Sequence, residues 1–142
     1  MHEQLKLDSV DVLGRDLVRP ECVLATASGD LYTSDWRGGV AHLDADAKLK
    51  ALYTGKTNDI PEGLRPNGIA LESDGSFLLA NLGTDAGGVW RLDRKGQVRP
   101  VLVEADGIVI PPSNFCVRDT QGRLWLSVST RLKPRSLDYR RD

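Results

Sequence analysis

Apolar runs recur along this chain, each set off by turns rich in Gly or Asp. After Gly29, Gly75 and Gly122 stand "DLYTSDW", "SFLLANL" and "RLWLSVS". These glycines lie 46 and 47 residues apart. The same spacings separate Glu21, Asn67 and Asn114, which stand near the start of the preceding apolar runs. Two independent anchors that keep one period identify an internal repeat. The first two copies share a third piece, "GGVAHLD" (Gly38 to Asp44) and "GGVWRLD" (Gly87 to Asp93), offset by 49, so the loop near "GTDA" is longer in the second copy. A fourth apolar run closes each of them, "KLKALYT" after "DADA" and "QVRPVLV" after "DRKG".

Each unit therefore reads as four short strands joined by tight turns. Apolar and polar positions alternate imperfectly, as expected where a sheet is buried on both faces. No segment combines a helical period with caps. Four strands per unit at a period in the mid-forties predict a β-propeller blade. A β-sandwich of unrelated strands leaves the two phased anchors unexplained. The third copy, "SNFCVRDTQGRLWLSVST", is followed by no "GGV" piece and no fourth strand. The predicted fold is thus all-β, a single incomplete propeller domain of about two and a half four-stranded blades. Its boundaries are an N-terminal segment at 1–17, blade one at 18–63, blade two at 64–110 and a partial blade three at 111–142. Propellers close with about four to eight blades. The expectation is a ring completed by a missing C-terminal half or by self-association.

Composition narrows the partners. The 142 residues carry 19 Lys and Arg against 20 Asp and Glu, a net charge of -1, which favours neither nucleic acid nor a membrane surface. No apolar run approaches the roughly 18 residues of a spanning helix. The polar start "MHEQLKLDSVDVLGRDL" lacks a secretory signal. Cys22 and Cys116 then read as two free buried thiols, and the cytoplasm is the expected location.

In a propeller the first strand of each blade lines the central channel, so residues at its start converge at one mouth. Glu21, Asn67 and Asn114 hold that place. One carboxylate with amide oxygens suits a hard divalent cation. Capping of strand ends or turn backbone by the same polar side chains is the competing reading.

At these residues a family likeness enters. "RPECVLATASGDLYTSDWRGGVAHLD", "RPNGIALESDGSFLLANL" and "SNFCVRDTQGRLWLSVSTR" resemble the first blades of the regucalcin/gluconolactonase family, the senescence-marker-protein type. The resemblance covers about residues 18 to 131. It implies a six-bladed propeller with one divalent cation in the channel, calcium first, with zinc, manganese or magnesium as alternatives. It implies Glu21 and Asn114 as metal ligands and Asn67 as a residue lining the substrate pocket. The family's later Asn and Asp ligands, including the Asp proposed to activate water, have no counterpart within the chain, so the catalytic residue is unassigned. The implied activity is hydrolysis of a small-molecule sugar lactone or ester, weak or absent in the isolated chain. The alternative is a non-catalytic propeller that serves as a binding or interaction module. Members with a sugar-binding Arg two residues before the blade-three Asn would have it at position 112, where Pro112 stands, which counts against an aldonolactone.

Other features fit simpler roles. His42 aligns with Arg91 and reads as a solvated position, and His2 lies near the terminus, so an imidazole zinc site is not expected. Arg19 and Arg65 each precede a channel residue by two, and the simplest expectation is that they pair carboxylates across blades. "DADAKLKALYTG" lacks the glycine and glutamate of a calcium loop. Ser113 has no histidine to activate it. Trp36, Trp90 and Trp125 read as blade-to-blade packing, and the basic end "RLKPRSLDYRRD" as a solvent-exposed segment.

Overall fold

The computed structural model describes residues 6–83 and 85–130. His2 and the basic segment from Arg131 onward lie outside them. Two four-stranded antiparallel sheets follow one another along the chain. The first holds β1 (Val23–Ala25), β2 (Leu31–Asp35), β3 (Gly39–Leu43) and β4 (Leu49–Thr54) in that order. The second holds β5 (Pro66–Leu71), β6 (Phe77–Asn81), β7 (Val89–Leu92) and β8 (Val98–Leu102), again in chain order. A short hairpin of β9 (Glu104–Ala105) and β10 (Ile108–Val109) leads to β11 (Ser113–Arg118) paired with β12 (Leu124–Val128). The helical element among the described residues is one 3-10 turn, Leu7–Ser9. This is the all-β partial propeller that the repeat predicts.

The turns explain the regular hairpins. Asp44 Oδ1 accepts the amides of Asp46 and Lys48, both at 2.9 Å. Asp93 does the same for Lys95 and Gln97, and Asp119 for Gln121 and Arg123. A short carboxylate side chain thus replaces backbone partners through the bend. The fourth turn position needs a left-handed backbone, φ 84° at Gly96 and 80° at Gly122. In the last of these turns the Trp125 indole and the Arg123 guanidinium both donate to Asp119, and its carboxyl is held down at about 2.

Strand β6 is apolar on both faces. Phe77 and Leu79 face the first sheet, in a core with Tyr32, Val40, Ile60, Leu64, Ile69, Trp90 and Leu92. Leu78 and Ala80 face the third, with Val89 and Cys116. Its imperfect alternation is the signature of a strand buried from both sides. Close backbone approach welds the blades further. A Cβ on Gly87 would stand 1.7 Å from the Pro111 carbonyl oxygen, and one on Gly68 would stand 2.6 Å from Phe115 Cα.

The outer seam between the first two blades holds Arg94. Its guanidinium carbon lies 4.9, 4.5 and 4.3 Å from the ring centres of Tyr32, Tyr53 and Phe77. Its Nε donates to the Gly75 carbonyl at 2.6 Å. The attraction of a cation to three ring faces adds to their burial. His42 belongs to the same stack, which corrects its reading as a solvated position. Its ring lies 4.4 Å from Tyr32 and 6.4 Å from Tyr53, it is buried, and Nε2 meets Asp30 Oδ1 at 2.7 Å. The aligned Arg91 is half-buried and pairs Asp74 instead. The tyrosines, absent from the second blade's seam, draw the imidazole in.

Phe77 is the hub of this seam and is fully buried. Phe77→Leu is expected to lower unfolding stability by about 1–2 kcal/mol. Ala in place of Val12, which is 92% exposed, is expected to change it by less than about 0.5 kcal/mol. Urea titration followed by near-ultraviolet circular dichroism checks both.

Candidate functional site

The three inner strands, β1, β5 and β11, run side by side, and the residues at their starts gather at one mouth. A repeated device holds them. Ser34 Oγ, at the end of β2, accepts the amides of Glu21 (3.1 Å) and Cys22 (3.2 Å). Ser127 Oγ accepts the amide of Phe115 at 3.1 Å in the same way. One residue further along, Asp35 Oδ2 accepts the Val18 amide at 3.0 Å and Asn81 Oδ1 accepts the Arg65 amide at 2.7 Å. Both side chains are fully buried. Burial would raise the Asp35 carboxyl, but the hydrogen bonds of Arg37 and of the Val18 and Arg37 amides outweigh it and hold the carboxyl below the usual range. Asp35 and Asn81 were missed as positioning residues from sequence. The signal was there, since they too lie 46 apart, but their role needs the loop they anchor.

The structure brings Asn67 and Asn114 together. Asn67 Nδ2 donates to Asn114 Oδ1 at 2.6 Å and to the Asn114 carbonyl at 3.1 Å. Asn114 Nδ2 passes the chain on to Ser129 Oγ at 2.9 Å. The Asn114 carbonyl can only accept, so Asn67 must present its NH2 there, which fixes the orientation of its amide. Its Oδ1 then points elsewhere, buried, with no hydrogen-bond donor among the described residues. Gly68 makes this meeting possible, because a side chain there would strike Phe115 and the Asn114 carbonyl. The Asn-Gly pair thus places an amide against the next blade and removes the obstacle beside it.

Glu21 is placed differently. Its carboxylate is 39% exposed and paired with Arg19 Nε at 2.5 Å. It shares no hydrogen bond with either asparagine among the described residues. The expectation that Arg19 and Arg65 pair carboxylates across blades is corrected. Arg19 turns back to its own blade because its backbone is left-handed, φ 52°, just before Pro20. Arg65 meets no carboxylate among the described residues. Both guanidinium groups lie over Trp36, Arg19 at 4.0 Å and Arg65 at 5.6 Å from the ring centre. Trp36 therefore belongs to the mouth as well as to packing, which sequence alone did not signal, since Leu82 stands at the aligned position.

The remaining nucleophile candidates are occupied. Ser113 is buried, gives its proton to the Pro111 carbonyl at 3.0 Å and accepts the Gly88 amide at 2.9 Å. Burial pushes the Cys116 thiol up to about 12, and burial raises Cys22 too. No cluster of three or more His, Cys, Asp or Glu side chains suited to a metal occurs among the described residues. A cation at the mouth would draw on amide oxygens as well as a carboxylate. The oxygens present are Asn67 Oδ1, which has no donor among the described residues, the second lone pair of Asn114 Oδ1, and the Glu21 carboxylate, one of whose oxygens is paired with Arg19.

No protein-family model matches the chain, and no curated protein does. Solved structures match the fold. Virginiamycin B lyase from Staphylococcus aureus superposes with a TM-score of 0.57 at 13% identity, over 80% of this chain and 36% of the lyase. A streptogramin B lyase gives 0.56 at 14% identity, over 81% and 36%. The extracellular domain of a hybrid two component system from B. thetaiotaomicron gives 0.51 at 16%, over 78% and 16%. The chain spans about a third of the length of the lyases it matches. These neighbours are β-propeller proteins, and at such identities the likeness is one of fold.

The asparagine pair makes its own prediction. A carboxylate at position 67 would face two acceptors of Asn114 where an amide now donates, so its folded pKa would rise above the unfolded value of about 3.9. Asn67→Asp should therefore come nearest the parent below about pH 4, where its one O–H replaces one of the two amide donations, and lose further stability as pH rises through that raised pKa. The deficit at pH 7 is expected to be about 1–3 kcal/mol. Denaturation of both proteins across this pH range measures it.

Proposed function

We propose that the chain is part of a β-propeller hydrolase of the sugar-lactone or ester type, gluconolactonase-like, with one divalent cation at the mouth. Glu21 and Asn114 would hold the cation, and Asn67 would line the substrate pocket. The observation that carries this reading is the buried Asn67 Oδ1, an oxygen with no hydrogen-bond donor among the described residues, on the side chain that reaches Asn114. A buried acceptor left alone is costly, and a cation or its bound water would satisfy it. Calcium suits neutral and carboxylate oxygens best; zinc, manganese and magnesium are the alternatives. Such a cation would polarise a lactone carbonyl and stabilise the oxyanion formed on attack. Enzymes occur among the fold neighbours, which supports catalysis on this scaffold by analogy only. The free thiols of Cys22 and Cys116 support a cytoplasmic location.

A second reading, a non-catalytic binding module, is favoured by the pairing of Glu21 with Arg19, which already neutralises this carboxylate. Calorimetry of the chain with calcium, zinc and manganese separates the two. The hydrolase reading expects one site, weakened about tenfold or more by Glu21→Ala. Absence of binding by every cation, or binding unchanged in the variant, favours the module.

Assembly belongs to the same proposal. Val23 is 66% exposed, Trp125 57%, and Phe115 and Val117 44% each. Strand β12 has no outer partner among the described residues. Open edges and apolar patches of this kind drive association. The isolated chain is expected to self-associate in sedimentation velocity, and a stable monomer up to about 100 μM would contradict this.

A further inference from the structure

We propose that Arg65, Arg19 and Trp36 form a carboxylate-binding shelf at the mouth, which takes the carboxylate of a small organic acid. The three side chains come from two blades and form one stack, with Arg19 at 4.0 Å and Arg65 at 5.6 Å from the indole centre. Donors here outnumber acceptors. Two guanidinium groups lie on Trp36, and one carboxylate, that of Glu21, takes Arg19 Nε at 2.5 Å. The indole N–H meets no acceptor among the described residues. The neighbouring Asp35 adds none, because it is buried and already binds the Arg37 guanidinium at 2.7 and 2.8 Å.

The occupied half shows what the empty half accepts. Glu21 is a carboxylate held by an arginine that lies on Trp36. Arg65 lies on the same ring, half-buried, and meets no carboxylate among the described residues. A ligand carboxylate on Arg65 would repeat the Arg19–Glu21 pair one blade along. Guanidinium donors form a planar fork that matches a carboxylate, and stacking on an indole holds the fork in place. The backbone also points to a function for the stack. Arg19 keeps a left-handed conformation, φ 52°, which costs free energy at a residue with a side chain, and the result is its guanidinium on Trp36 beside Glu21. Strain of this kind concentrates at ligand sites. The shelf needs no metal, so its test is independent of the cation reading.

The test is 15N–1H spectroscopy of the indole N–H groups of the chain, in EDTA, with Trp36→Phe identifying the Trp36 signal. The probes are benzoate, its neutral counterpart benzamide, and inorganic phosphate. Benzoate should shift the Trp36 signal saturably, and benzamide should not. Arg65→Gln should weaken apparent benzoate affinity about tenfold or more, and Arg65→Lys, which keeps the charge without the fork, should weaken it less. Arg123→Gln, which removes an arginine from the ring of Trp125, serves as the control and should leave the response unchanged. The proposal is overturned by a non-saturable response to benzoate, by equal shifts with benzamide, or by an undiminished response in Arg65→Gln. A stronger response to phosphate than to benzoate overturns the carboxylate assignment.

Discussion

Burial of β6 from both sides is the constraint on which this structure depends. A sheet with one apolar face can stop at two layers, but a strand with Phe77 and Leu79 on one face and Leu78 and Ala80 on the other requires a sheet on each side. Once neighbouring blades pack face to face, their inner strands must run together at the axis. The Gly68 and Gly87 contacts follow from that crowding, because the backbones approach to distances where a methyl group has no room. The mouth is thus a product of the packing. Asn67 reaches Asn114 across a blade boundary that the apolar core has already closed.

The mouth itself is built from side chains in two layers. Ser34, Asp35, Asn81 and Ser127 each accept a backbone amide and so fix where the inner strands begin. Asn67 and Asn114 then meet each other across the blade boundary, while Glu21 turns to Arg19. Between them the electrostatics divide: the asparagine pair is an acceptor-rich, neutral corner with one orphaned oxygen, whereas Arg19, Arg65 and Trp36 make a donor-rich corner. Opposite demands at two ends of one opening would suit a small molecule that carries both a hydrogen-bond donor, such as a hydroxyl, and an acidic group.

The repeat made much of this legible in advance. Period and turn chemistry are written locally, in residues such as Gly75, Gly122 and Asp93, so strands and blade order follow from the sequence. The convergence of Asn67 and Asn114 was legible for the same reason, since equal phase in a propeller means equal height at the axis. What the phase does not carry is the partner of a long side chain. Arg19 was expected to reach across blades, and a single left-handed φ returns it to Glu21, two residues away. His42 and Arg91 share a phase, but only His42 has tyrosines on either side of it. A position in a repeat predicts where a residue stands, and its partner and exposure are decided by neighbours that the repeat does not share, such as Tyr32 and Tyr53 beside His42.

Arg94 carries a consequence for how the molecule comes apart. It belongs to the second blade by sequence, yet it lies on Tyr32 and Tyr53 of the first as well as on its own Phe77. Each blade alone is a meander of local hairpins and has little reason to wait for its neighbour in folding. A cation sandwiched among rings of both removes that independence, because neither blade can open without exposing the other's aromatic face. Blades one and two are therefore expected to open as a single cooperative unit, while β12, with no outer partner among the described residues, is where exchange of the sheet amides should begin.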